Sequence, residues 1–382
     1  MVPKISVICS IYNNEEYISK SIDSVLSQTL KDIEIVCIYR KSTDNTTKIL
    51  HDYAEKDCRI KLYEQIETVG CGPAKNLGIE KSNGEYITFL DADDFYVDDK
   101  CLEKLYFAAK KENVLISGGF RSILNMQGAW TQHDLHRKSL ANFPDGKMFY
   151  YHDLQFDYHF HQYIYSRDLL RCGNISFGDQ LTYDDIIFHA KAMNAAERFF
   201  IIPVEVYCYR LHGPYVWNLK QTIDSVKGFI DVLNFSKEKN LELLHWKTVR
   251  RMTAGEYYEN FIRHLNDGSM ELYAALIKAQ SYISTDLLKK AQNKSNFGEY
   301  FDGCDLPTID KLDIPEYEDY ILLPLTRIME NVASLALLLD EKNNELGRKN
   351  IELEGIKKSF SYKVGRKVTF LPRKIRSCLK KR

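Results

Sequence analysis

Four short apolar runs punctuate the first ninety residues: ISVICSI at 5–11, IEIVCI at 33–38, IKLY at 60–63 and YITFL at 86–90. A polar or glycine-containing break follows each, and after the first three comes a stretch of helical periodicity, as in Ile18, Ile22, Val25 and Leu26. Strand and helix in strict alternation fold into a mostly parallel sheet flanked by helices, an α/β class. Such sheets bind ligands beyond the carboxyl ends of their strands. Asn13, the turn at Ser42 to Asp44, the Gly70 to Gly72 loop and Asp91 to Asp94 each follow a strand, so they should converge on one rim. Ser42, Thr43 or Asp44 can cap the helix that starts after the second strand.

The pattern changes further along. A strand is expected at 114–119, followed by a loop rich in aromatic residues and histidines. Short helices are expected at 167–170 and 182–193, with a strand at 199–209 between them and a helical region from about Asn218. Helices there should span 220–233, 240–265, 269–290 and 317–348, with an irregular stretch at 293–315. A length of 382 residues suits two or three domains. We divide the chain into an α/β domain at 1–215, a helical domain at 216–350 and a basic tail at 351–382.

Charge is unevenly placed. Eleven Lys or Arg and no Asp or Glu lie between Lys357 and Arg382, which leaves about −12 on residues 1–356 of a chain whose formal total is −1. The tail interleaves these bases with Phe360, Tyr362, Val364 and Phe370, a composition that suits an anionic membrane surface, a docking helix or nucleic acid. The acidic body argues against nucleic acid. Nine cysteines without a C-x-x-C pair point to a reducing compartment. No apolar stretch is long enough to span a bilayer, and the N-terminus reads as a first strand rather than a signal peptide. A cytoplasmic protein is expected, with peripheral attachment to the inner membrane face through the tail.

Several clusters can carry chemistry. Asp91, Asp93 and Asp94 arrive straight after a strand and suit a hard cation shared with phosphate; helix capping and solvated acids are the bland alternative. Gly70, Gly72, Lys75 and Asn76 read either as a turn or as a ligand loop with a positive charge. Asp184 and Asp185 open a helix, where anions are favoured in any case; a positioned carboxylate there can also act as a general base. His212, at a strand end, is either a surface histidine or a cation ligand. His133, His136, His152, His159 and His161 match no metal motif.

The stretches ISVICSIYNNEEYISKSIDSVLSQTLKDIEIVCI, STDNT, GPAKNLGIEKSNGEYITFLDADD, YIYSRDLL, YDDIIF and YCYRLHG, in this order, resemble the family 2 glycosyltransferases of bacteria. The likeness covers residues 3–215, and the tail resembles the C-terminal ends of members that build surface polysaccharides. It implies a GT-A fold and inverting transfer from a nucleotide-diphosphate sugar, UDP by default, to a saccharide or lipid-linked acceptor, with Mn²⁺ or Mg²⁺. Asp185 would be the general base, with Asp184 where Glu is usual. Asp93 would be the main metal ligand, with Asp91 and His212 beside it. Ser10, Tyr12, Tyr39, Arg40, Lys75, Asp91 and Ala92 would contact the donor, Lys75 standing where Arg is usual. A homo-oligomer is compatible with the helical half.

One departure alters the expected chemistry. Tyr39 and Arg40 stand where paired aspartates are usual, and Lys41 replaces a glycine. The family's aspartate accepts a base N–H, commonly from uracil, and Arg accepts no hydrogen bond. Either another group reads the base, or the donor nucleotide differs, or the chain is a degenerate scaffold. A different nucleotide-diphosphate enzyme on a similar sheet is the remaining alternative.

Overall fold

The computed structural model describes residues 2–66, 70–132, 140, 142–212, 216–253, 255–292, 345 and 347–349. His133, His136, the basic tail and most of the helix expected at 317–348 lie outside the described residues. Residues 1–321 make one compact unit and residues 322–382 a second. In the second, Lys349 pairs with Glu345 at 2.7 Å, one helical turn away.

The strands are β1 (Ile5–Ile11), β2 (Ile33–Tyr39), β3 (Ile60–Glu64), β4 (Tyr86–Phe89), β5 (Phe95–Tyr96), β6 (Ile116–Leu124), β7 (Trp130–Gln132), β8 (Lys147–Tyr150), β9 (Tyr163–Ser166) and β10 (Arg198–Arg210). They form one ten-stranded sheet in the order β3-β2-β1-β4-β9-β6-β10-β5, with β7 on β6 and β8 on β10. The block β3-β2-β1-β4 is parallel throughout, as is β6 against β10. β9 runs antiparallel to both of its neighbours, β4 and β6. β2 is buried at every position. Burial on both faces of a parallel strand requires helices on both sides, which explains the mostly apolar runs.

Those helices are α1 (Ile18–Leu26), α2 (Thr46–Lys56), α3 (Cys71–Lys81), α4 (Cys101–Glu112), α5 (Tyr151–Leu154), α6 (Arg167–Cys172) and α7 (Asp184–Ala196). α1 buries Ile18, Ile22 and Val25, the stripe that its periodicity foretold. The turn before α2 is held by Asp44, whose Oδ1 accepts the Thr46 amide at 3.0 Å and whose Oδ2 accepts the Glu15 amide at 3.1 Å. β10 is longer than expected and shifts register near Pro203, where a missing N–H breaks the ladder.

The helical region follows as α8 (Leu219–Lys239), α9 (Glu242–Thr253), α10 (Gly255–Asn266), α11 (Met270–Gln280) and α12 (Thr285–Gln292). Two stretches expected as single helices are each two. Gly255 takes φ +73°, which breaks 240–265. In 269–290 the chain turns after Ser281, and the Ser284 amide donates to His245 Nε2 at 2.8 Å. α8 opens with a capping box between Asn218 and Gln221. The start of α9 is capped from the α/β layer: Gln155 Oε1 accepts the amides of Leu243 at 2.9 Å and Leu244 at 3.2 Å. Arg251 on α9 pairs with the fully buried Asp157 at 2.5 and 2.6 Å. Among the described residues no helix is long and apolar enough to cross a membrane.

Candidate active site

The loops after β1, β2, β3 and β4 do meet at one rim. Asn13, at φ +52°, donates its amide to Ser42 Oγ at 3.1 Å, and its Oδ1 accepts the Thr43 amide at 2.9 Å. The Asn14 amide reaches Thr46 Oγ1 at 2.7 Å. Behind this stitched edge lies a cleft of about 390 Å³. Ser10, Tyr12, Arg40, Lys75, Asp91, Ala92 and Asp93 line it. Tyr39 does not join them. Strand alternation puts its ring in the core, edge-on to His51 at 5.9 Å.

Lys75, on the first turns of α3, is almost fully buried, and its Nζ lies 3.3 Å from Asp91 Oδ1. The ammonium also sits over Phe160 and Phe177, 4.8 and 5.5 Å from the ring centres. Burial works against its charge, but Asp91, Asp184 and Asp185 around it hold its pKa above the usual lysine range. The other oxygen of Asp91 takes His161 Nε2 at 2.8 Å. Burial opposes ionisation of Asp91 too, yet Lys75 and His161 hold its carboxyl well below the usual range.

Asp184 and Asp185 lie in the first turn of α7, where the helix dipole favours anions. Burial, then the neighbouring Asp184, push Asp185 up to about 6 against the pull of Lys75 and His161. Burial also raises Asp184, whose Oδ2 is buried without a hydrogen-bond partner among the described residues. The glycines at the start of α3 set this spacing. A methyl on Gly72 would sit 2.1 Å from the Gly178 carbonyl oxygen and 3.0 Å from Asp184 Oδ2. A methyl on Gly70 would sit 3.2 Å from the Gln180 carbonyl oxygen. The bare backbone here admits the 178–184 segment, so α3 and the acid pair approach closely.

Asp93 and Asp94 diverge in role. Asp93 Oδ2 meets His212 Nε2 at 2.8 Å, and His212 leans on Tyr17 with ring centres 5.3 Å apart. Asp94 is buried, accepts the Tyr207 hydroxyl at 2.6 Å and the Arg210 amide at 2.7 Å, and anchors the loop to the end of β10. Burial, then Asp91 and Asp93, raise its pKa. Among the described residues no three His, Cys, Asp or Glu side chains form a ready metal cage. Asp93 and His212 are a two-donor pair, while both oxygens of Asp91 are taken by Lys75 and His161.

Residues 6–173 match the sequence profile of Glycosyl transferase family 2. Over these residues the chain carries a domain that matches that family. It is 31% identical over 214 residues to the "Uncharacterized glycosyltransferase EpsJ" of Bacillus subtilis (strain 168), across 55% of this chain and 62% of that protein. It is 33% identical over 123 residues to a poly(ribitol-phosphate) beta-glucosyltransferase of Bacillus spizizenii, across 31% of this chain and 19% of that protein. The chain thus spans less than two thirds of either relative. Among solved structures, S. aureus TarS 1–349 in complex with UDP-GlcNAc superimposes with a TM-score of 0.59 at 18% identity, over 74% of this chain and 82% of that one. At that identity the likeness shows the shared fold.

The structure also gathers around the cleft residues that the sequence did not single out. His161 is the main one. It sits in a turn at Phe160–Gln162, just ahead of β9, and stacks on Tyr207 with ring centres 5.1 Å apart. Antiparallel pairing of β9 with β4 brings the residue before β9 beside the residues after β4, which is how His161 reaches Asp91. Its only signal was membership of an aromatic and histidine-rich run. Asn14, Gln65, Cys71 and Leu181 line the cleft as well.

Proposed function

We propose that this protein is an inverting glycosyltransferase. It moves a sugar from a nucleoside-diphosphate donor to a hydroxyl of a saccharide or lipid-linked acceptor. The observation that carries the reading is that Asp91 and Lys75 line one cleft of a family 2 domain while Asp184 and Asp185, just beyond the matched residues, act on the same ammonium.

In this reading Asp185 takes the proton from the acceptor hydroxyl as that oxygen attacks the anomeric carbon. A carboxylate shifted to about 6 is ionised at neutral pH and more basic than an ordinary aspartate, which suits a general base. Lys75 and His161 hold Asp91 ionised and in place at the donor. No covalent nucleophile is needed for a single displacement. The donor set of Asp93 and His212, an oxygen and a nitrogen in contact, fits Mn²⁺ or Mg²⁺ that shares the rest of its shell with phosphate and water, nitrogen favouring Mn²⁺. Such a cation, when bound, supplies positive charge to the diphosphate leaving group.

The acceptor side is assigned to the helical region. Tyr183, which precedes the acid pair, meets Tyr257 of α10 with ring centres 5.2 Å apart, and Tyr257 meets Trp217 at 4.7 Å. Tyr183 is itself buried, so the half-buried rings of Tyr257 and Trp217 are the ones offered to a sugar.

A panel of nucleotide sugars, screened for binding and hydrolysis with Mn²⁺ and Mg²⁺, tests the proposal. It fails if none is bound or cleaved. The basic tail is assigned to an anionic membrane face, at about 1 kcal/mol per Lys or Arg near the surface. Truncation after Ile356 should then reduce sedimentation with anionic liposomes, and equal sedimentation would end that assignment.

A further inference from the structure

Arg40 is the cleft cation that the chemistry above leaves unused. It follows β2 and lines the cleft with Tyr12 and Gln65. Its guanidinium carbon lies 4.0 Å from the centre of the Tyr12 ring, and Tyr12 is 42% exposed. Its backbone amide donates to the Ile11 carbonyl at 3.2 Å, but no group among the described residues accepts from the guanidinium. Lys75, in the same cleft, is by contrast held by Asp91. Gln65 resembles Arg40: its backbone amide donates to the Tyr39 carbonyl at 2.8 Å, and its side-chain amide has no partner among the described residues.

We propose that Arg40 and Gln65 read the base of the donor nucleotide, and that they favour guanine or cytosine over uracil. The inference rests on the glycosyltransferase reading and names its donor class. A guanidinium only donates. It therefore matches a base edge that presents two adjacent acceptors, O6 and N7 of guanine or O2 and N3 of cytosine. The carbonyls of uracil flank a ring N–H, and turning that edge to Arg40 sets donor against donor. Gln65 adds an acceptor for an exocyclic amino group, which guanine and cytosine carry and uracil lacks. Tyr12 and the guanidinium plane stacked on it supply a flat surface of the kind that bases pack against.

Position separates this task from phosphate binding. Arg40 and Tyr12 sit after β2 and β1. Asp91 and Asp93, with Lys75, His161 and His212 against them, gather after β4, ahead of β9 and at the end of β10, where the transferring end of the donor belongs.

The test is calorimetric titration of the full chain with GDP, CDP and UDP in the presence of Mn²⁺. GDP or CDP should bind the wild type about tenfold or more tightly than UDP, the scale of one bidentate base contact. Arg40→Asp, which replaces donors with an acceptor, should make UDP the tightest of the three. Arg40→Ala should level them. UDP binding the wild type as tightly as GDP and CDP would overturn the inference. So would an Arg40→Ala loss that is equal for all three nucleotides and keeps their order, since that is the mark of a phosphate contact. If no nucleotide binds the wild type, the glycosyltransferase reading itself falls, and the base assignment with it. Circular dichroism of each variant shows that the fold is kept.

Discussion

The two ends of the cleft follow opposite plans. Around Lys75 the charged groups are already coupled: the lysine with Asp91, Asp91 with His161, and Asp184 and Asp185 within the field of the same ammonium, although Asp184 Oδ2 has no hydrogen-bond partner among the described residues. Around Arg40 the polar heads are unengaged, and the Tyr12 ring is what holds the guanidinium. Engagement at one end fixes protonation states before any substrate arrives, which is what proton transfer needs. Free donors at the other end cost little while they face water. They gain fully when a base satisfies them, which is what discrimination needs.

The largest effect that would break this comparison is on turnover. Asp185→Asn should lower sugar transfer about 10²- to 10⁴-fold, the usual contribution of a general base, with the thermal melt unchanged. In the wild type the rate should fall as pH drops through about 6, because Asp185 accepts a proton only when ionised. Full transfer by the variant, or a flat profile across that range, would remove Asp185 from the role.

A smaller effect concerns stability. Lys75→Met strips the shared cation from Asp91, Asp184 and Asp185. Removing one member of a buried pair costs about 3–5 kcal/mol. Asp91 retains 29% side-chain exposure, so the lower end of that range is expected in urea unfolding. Indifference to the substitution would mean that the acid end is not wired as described. The smallest effect sharpens the contrast within the aspartate loop. Asp93→Ala should weaken nucleotide binding about tenfold in calorimetry with Mn²⁺, about 1.4 kcal/mol, and leave metal-free binding as it was. Equal affinity in both proteins with Mn²⁺ present would detach Asp93 from the cation.

Much of this was legible in the residues. The parallel block shows because strands buried on both faces are mostly apolar, as ISVICSI and the run at 33–38 are; their buried polar exceptions Ser6 and Glu34 satisfy each other across the sheet at 2.6 Å. Asp91, Asp93, Asp184 and Asp185 stood out because carboxylates at a strand end or a helix start are local features. His161 was hidden because its role depends on β9 pairing antiparallel with β4, a long-range fact with no local mark. The glycines at 70 and 72 read either as a turn or as a ligand loop; Gly70 does line the cleft, and the space both leave admits the chain at 178–184. Tyr39 and Arg40 were noted as a pair, but alternation sends one inward and one to the cleft. In the helical region, Gly255 was the visible sign of a break, and helical periodicity on both sides of it masked the signal.

The reversed strand β9 has a consequence for how this molecule comes together. The first ninety residues can close their parallel ladder by themselves, yet they carry no histidine partner for Asp91 and no acid pair for Lys75. Both arrive from seventy or more positions downstream, the histidine ahead of the strand that wedges between β4 and β6 and the acid pair on α7. Contacts so distant in sequence are slow to close. A growing chain should therefore hold a finished sheet edge well before it holds the assembled cleft, with the Lys75 ammonium exposed to water in the interval.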